Sequence, residues 1–226
     1  ADPRLDDFRD LNSVDRRPDL PSGRGLVIAE GVLVVQRMLA SRFTPHAMLG
    51  NDRRRAELDA DLRGVDAPYY RTSPEVMADV VGFHLNRGVL AVARRPVELT
   101  VAEVLAGART VAVLEGVNDH ENLGSIFRNA AGLAVDAVIF GAVCADPLYR
   151  RSVKVSMGAV LAVPWTRAEP WPASLDLLRD KGFRTLAMSP DPAGLSLRDA
   201  DLSGPVAVLL GTEGEGLTAA ALARCD

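Results

Sequence analysis

Apolar positions follow two rhythms along the chain. Gly25 to Ile28 is a short apolar run and reads as a strand. From Glu30 to Ala40 the apolar residues Val32, Val35 and Leu39 fall at helical spacing. Thr44 to Leu49 reads as another strand, Arg53 to Leu62 as a highly charged helix, Pro74 to Val81 as a short helix and Gly88 to Ala93 as a strand. These elements predict a small α/β unit over residues 22–96, ending at Arg94-Arg95-Pro96. Ahead of it, residues 1–21 are charged and proline-containing, with Arg16-Arg17-Pro18-Asp19 at their centre, and read as a loose or draped arm.

Residues 97–108 read as a connecting helix, and a second α/β pattern occupies 109–226. Thr110–Leu114, Val135–Phe140, Val160–Val163, Phe183–Ala187 and Val206–Leu210 are apolar nearly throughout, with helical segments between most of them. Strands without polar alternation, separated by helices, predict a parallel sheet covered on both faces.

Composition narrows the function. A chain of 226 residues with 48% hydrophobic residues supports real cores rather than disorder. A net charge of −4, from 26 basic and 30 acidic residues, excludes a bulk basic coat for nucleic acid, so any such contact must come from local patches. Lys154 and Lys181 are the only lysines among the 26 basic residues, so arginine dominates. Arginine grips phosphate bidentately, although a GC-rich genome would also encode it freely. Cys144 and Cys225 lack CxxC spacing, and His46, His84 and His120 are scattered, so neither a disulfide framework nor a metal is expected. No apolar run approaches the roughly 18 residues of a membrane helix and no signal-peptide core opens the sequence, which predicts a cytoplasmic protein.

Two segments carry candidate chemistry. Val206–Leu217 runs from a buried strand into a turn with glycines at 211, 214 and 216. This is neither GxGxxG nor a phosphate loop, and its two glutamates would repel a pyrophosphate. A ligand with a neutral base and a cationic centre, such as S-adenosylmethionine, suits it better; a plain glycine turn is the competing reading. Upstream, Asn118, Asp119 or Asn122 can cap a helix running through Ile126 and Phe127 to Ala131, with those two residues pointing inward. Ser125, Arg128 and Asn129 then share a face. Asn122, Gly124, Arg128 and Asn129 form a dense polar set just after a strand, where α/β sheets place active sites. An amphipathic helix with a solvated arginine is the alternative.

Residues 122–130 match Asn-x-Gly-x-x-x-Arg-x-Ala, and residues 211–217 match Gly-x-Glu-x-x-Gly-Leu. Lys154–Ala159, followed by Val163-Pro164, fits the segment that connects two such motifs. Together they resemble the SpoU/TrmH family of RNA ribose 2′-O-methyltransferases, of the SPOUT class with a trefoil-knot fold. The preceding unit, with Ile28-Ala29-Glu30-Gly31-Val32, resembles the ribosomal-protein-like substrate-binding domain often fused ahead of it. The resemblance implies S-adenosylmethionine as cofactor, rRNA or tRNA as substrate and a homodimer. It implies Arg128 at the ribose 2′-hydroxyl as phosphate clamp and stabiliser of the developing alkoxide, Asn122 orienting Arg128 or the ribose, and Glu213 fixing the loop to the first motif. It places Leu210, Gly211 and Gly216 along the cofactor, with Met157 and Gly158 nearby, and gives RNA contacts to Arg53, Arg54, Arg94 and Arg95 beside Arg128. The family's third motif is absent from the 226 residues, and on that basis weak cofactor binding is expected of them, with a catalytically impaired RNA-binding relative as the alternative. The glycine spacing disfavours a dinucleotide enzyme.

Overall fold

The computed structural model describes residues 2–12, 24–192 and 194–226; the Arg16-Arg17-Pro18-Asp19 stretch of the expected arm lies outside the described residues. Contacts divide the chain into two units, residues 1–97 with 147–162, and residues 98–146 with 163–226. The segment 147–162, expected within the second domain, therefore groups with the first unit.

The first unit is built on a mixed sheet of β1 (Leu26–Glu30), β2 (Pro45–Gly50), β3 (Tyr69–Arg71) and β4 (Val89–Arg94), in the order β1-β4-β2-β3. β4 is antiparallel to both of its neighbours, and β3 is parallel to β2. β3 escaped sequence reading because its three residues are only partly buried and too few to show a period. Helix Pro74–Val81 begins with proline under a Ser73 cap and ends at Gly82, whose φ of 83° is open to glycine. The charged helix expected to reach Leu62 stops at Glu57; it buries none of its own residues, so no apolar stripe holds it beyond the first turns. The core gathers Ile28, Leu49, Met77, Val81, Leu90 and Val92. Residues 2–12 join it: a 3-10 helix spans Pro3–Phe8, and Phe8 and Leu11 are fully buried. His46 Nε2 lies 2.6 Å from Asp7 Oδ2, tying that segment to β2.

Within the same unit, helix Arg150–Val155 packs on β1. Lys154 Nζ donates to the buried Glu30 carboxylate at 3.0 Å, and Arg37 donates to the Met157 carbonyl at 2.8 Å. The strand expected at Val160–Val163 is instead a 3-10 turn, Ala159–Leu161. It follows Gly158, whose φ of 82° turns the chain against Val34 and Arg37.

The second unit is a five-stranded, wholly parallel sheet: β5 (Thr110–Leu114), β6 (Ala137–Phe140), β7 (Trp165–Arg167), β8 (Arg184–Ala187) and β9 (Val206–Leu210), in the order β7-β6-β5-β9-β8. Val111, Val113, Ile139, Ala207 and Leu209 form its core with Leu175, Leu178 and Phe183. The connecting helix expected over 97–108 shrinks to one turn, Val101–Val104, closed by a reciprocal Thr100–Glu103 capping box. The order places β5 and β9 side by side at the centre, so the segments leaving their carboxyl ends must meet.

Candidate active site

β5 ends at Leu114, and the chain turns through Glu115 and Gly116 into helix His120–Gly132. Asp119 is the cap: its carboxylate accepts the backbone N–H groups of Glu121 and Asn122, both at 2.8 Å. Leu123, Gly124, Phe127 and Ala130 form the buried stripe, and the Phe127 ring lies 6.0 Å from that of Phe140 on β6. Ile126, expected to anchor the helix beside Phe127, instead faces the cleft and is only partly buried. At about 100° per residue, Ile126 lies beyond the edge of the stripe on the side of Asn122 and Asn129, whereas Phe127 lies near its centre. Asn122, Ser125, Ile126 and Asn129 make up the cleft face. Arg128 is exposed and lies outside the cleft lining.

The other wall comes from β9. Beyond Leu210 the chain folds into a tight loop in which Thr212 and Gly216 exchange backbone hydrogen bonds of 3.1 and 3.0 Å. The glycine pattern has a steric cause. A Cβ on Gly211 would come within 3.0 Å of the Gly216 and Leu217 backbone, and Gly216 sits at a φ of 74°. Leu217 plugs the loop into the core. The two walls enclose a cleft of about 680 Å3, lined by Gly116 to Asp119, the helix face and Leu210 to Glu213. Asn122 Nδ2 donates to Glu213 Oε2 across it at 3.4 Å, a long and weak bond.

Sequence reading missed Glu115. It is only 5% exposed, and its carboxylate accepts three donors: the Trp171 indole N–H at 2.5 Å, and the Thr218 backbone N–H and hydroxyl at 2.8 Å each. The available signal was a lone acidic residue directly after an apolar strand. Cys144, near the same sheet end, hydrogen-bonds the Leu114 carbonyl at 3.3 Å, and burial pushes its thiol pKa up, so it is not a ready nucleophile.

The remaining candidates lie elsewhere. Gly216 closes the base of the loop without lining the cleft, and Met157 and Gly158 belong to the first unit. Arg53 and Arg54 both bond Glu57, at 3.0 and 2.6 Å. Arg94 is exposed at the end of β4, and the Arg95 backbone N–H bonds the Gly25 carbonyl. Among the described residues no cluster of three or more His, Cys, Asp or Glu side chains is placed to hold a metal.

Comparison with known proteins matches this architecture. Residues 109–226 fit the model of the SpoU rRNA Methylase family. An uncharacterized tRNA/rRNA methyltransferase of Mycobacterium bovis is 69% identical over 228 aligned positions, spanning 100% of this chain and 79% of that protein. The SpoU methyltransferase AviRb from Streptomyces viridochromogenes, solved with AdoMet, superposes with a TM-score of 0.79 at 18% identity, covering 100% of this chain and 87% of AviRb. An RNA 2′-O ribose methyltransferase superposes at 0.76 and 22% identity, covering 100% and 85%. At such identities the superpositions speak for the fold, which is the SPOUT type. The family match and the Mycobacterium bovis relative go further: this chain belongs to the SpoU rRNA methylase family.

Proposed function

We propose that this protein transfers a methyl group from S-adenosylmethionine to a ribose 2′-hydroxyl of rRNA or tRNA. One observation carries the reading. The cleft at the carboxyl ends of β5 and β9 joins the Asn122–Asn129 helix face to the Leu210–Glu213 loop, and the two walls touch through Asn122 and Glu213. The relative's name supports an RNA substrate, and the AviRb complex with AdoMet supports the cofactor.

The residues present fit that cofactor. The cleft lining holds the carboxylates of Asp119 and Glu213 and no lysine or arginine, a balance suited to a cation and hostile to a polyphosphate. Gly116 and Gly211 are both in the cleft lining, and their missing side chains let Thr212 and the Gly216–Leu217 backbone pack behind that wall. Leu210, Gly211 and Thr212 would hold the cofactor through backbone groups. When bound, S-adenosylmethionine supplies an electrophilic methyl group.

The chain's own task is to present a ribose oxygen, whose proton passes to solvent as the methyl group is transferred. Asn122, Ser125 and Asn129 offer neutral hydrogen-bonding groups along one helix face. Arg128, three residues from Ser125 and next to Asn129, is exposed. It can clamp a phosphate and stabilise negative charge on the 2′-oxygen. A guanidinium holds its protons too tightly to serve as a good base. Glu213 meets Asn122 across the cleft, a weak contact between the helix face and the loop. Arg94, exposed on the first unit, offers that unit a phosphate contact of its own, and a homodimer completes the assembly. Arg53 and Arg54 join that contact by exchanging Glu57 for phosphate.

The test incubates the protein with methyl-labelled S-adenosylmethionine and unmodified rRNA and tRNA transcripts, then maps label by resistance of the modified linkage to alkali. Alkali-resistant label at a defined nucleotide is expected. Label confined to bases, or none with either RNA, would refute the reading.

A further inference from the structure

The loop that walls the cleft has little holding it from the cleft side: the exposed Asn122–Glu213 bond is 3.4 Å long. Its restraint comes from behind. The backbone N–H of Glu115 donates to the Leu210 carbonyl at 2.9 Å, immediately before the loop begins. The side chain of the same residue reaches past the loop. Its Oε2 accepts the Thr218 backbone N–H, and its Oε1 accepts the Thr218 hydroxyl, immediately after the loop ends at Leu217. One residue thus grips both ends of the Gly211–Leu217 segment. Its neighbour Gly116 leaves room for Thr212, whose methyl carbon would collide with any Cβ there.

The grip is anchored on two further sides. The Trp171 indole N–H donates to Oε1, and the face of that ring lies against Gly141, where any Cβ would strike it. Thr218 caps helix Ala219–Leu222 by accepting the Ala221 N–H at 3.2 Å, so its hydroxyl is fixed in direction and donates to Glu115. A buried carboxylate with three donors and 5% exposure has little freedom to move. Among the described residues of this unit no other carboxylate is buried.

We propose that Glu115 is a positioning residue for the cofactor wall: it sets the orientation of the Gly211–Leu217 loop from behind and never touches the ligand. The proposal rests on the methyltransferase reading for its functional consequence and on the loop geometry alone for its structural one.

Glu115→Gln keeps the volume and replaces one acceptor oxygen with an NH2 group that opposes the Thr218 or Trp171 donor. Hydrogen exchange on the whole protein should show the loop amides around Thr212 and Gly216 exchanging at least tenfold faster, with those of β5 and β6 unchanged. Calorimetry with S-adenosylmethionine should show Kd raised about tenfold or more, whereas affinity for an RNA transcript stays near wild type. Thr218→Val, which removes one donor and leaves Glu115 intact, should shift both readouts in the same direction by less, and it serves if Glu115→Gln does not fold. Loop exchange at the wild-type rate in both variants would overturn the proposal whatever the protein methylates. Faster exchange with an unchanged Kd would overturn the cofactor-wall role. A wild-type protein that ignores S-adenosylmethionine would instead refute the methyltransferase reading, while the exchange result still decides whether Glu115 holds the loop.

Discussion

Replacing Gly211 with alanine places one methyl group where the loop crosses itself. The added Cβ would stand within 3.0 Å of the Gly216 carbonyl carbon and oxygen and of the Leu217 nitrogen. Carbon contacts settle at about 3.5–4.0 Å, so the two limbs of the loop must part by more than about 1 Å. All three obstructing atoms are backbone, and no side-chain rotation relieves the clash. Parting the limbs breaks the Thr212–Gly216 pair, and two backbone hydrogen bonds at about 0.5–1.5 kcal/mol each give a loss of about 1–3 kcal/mol. A 1 Å displacement of a binding wall can cost about 100-fold in rate, so kcat/KM should fall by about that factor. Urea melts and single-turnover methyl transfer measure the two effects separately. Gly214→Ala is the control: its Cβ meets nothing within 4 Å, and only the φ of 97° is strained. It should cost about 1 kcal/mol and change the rate little. Wild-type rate and stability in Gly211→Ala would show that the loop does not close on itself here and is not a wall of the cleft.

Arg128→Ala should lower single-turnover methylation about 100-fold or more while leaving stability within about 0.5 kcal/mol, because the side chain is exposed; near wild-type turnover would remove it from the site. Lys154→Ala leaves the buried Glu30 carboxylate without its 3.0 Å partner, which should cost about 1–3 kcal/mol in a urea melt; Lys154→Met combined with Glu30→Gln should recover most of it. Asp136 accepts the backbone N–H groups of Arg109 and Thr110, which lower its pKa below the usual carboxylate value. A lowered folded pKa gives stability that is present above the unfolded value of about 3.9 and lost as pH falls through the folded value. Asp136→Asn should therefore lower stability near neutrality and flatten its fall below about pH 4; an unchanged neutral stability and acid profile would discount those bonds.

Four strands of the second unit were legible as apolar runs, and Thr110–Leu114 and Val206–Leu210 have the expected boundaries; the short β7, Trp165–Arg167, was not, because no apolar run marks it. The same criterion misread Val160–Val163. Its apolar run is buried too, but it follows a left-handed Gly158 and turns as a 3-10 segment in the other unit. Apolar runs record burial, and burial does not say against what. The first unit lost β3 for a related reason: with Tyr69 and Tyr70 half buried, no period survives in three residues. Composition left the arm open between loose and draped; among its described residues, Phe8 and Leu11 supply the apolar surface that docks residues 2–12.

At the site, residue types announced chemistry and spacing announced proximity, but neither announced direction. Asn122 and Glu213 are 91 positions apart, and the parallel pairing of β5 with β9 brings them together; the motif order suggested that meeting and only the sheet order requires it. Arg128 shows the limit of a helical-face argument. Ser125 and Asn129 share its side of the helix, yet they face the cleft while it faces outward, because a cleft narrower than the helix face admits only part of it. Glu115 shows the opposite limit. A single carboxylate carries no spacing pattern, and its three donors come from Trp171 and Thr218, 56 and 103 positions away. Such a group is costly to bury unless every partner is in place. Its presence at the end of a central strand therefore constrains three segments at once, and that constraint leaves no trace in any local stretch of sequence.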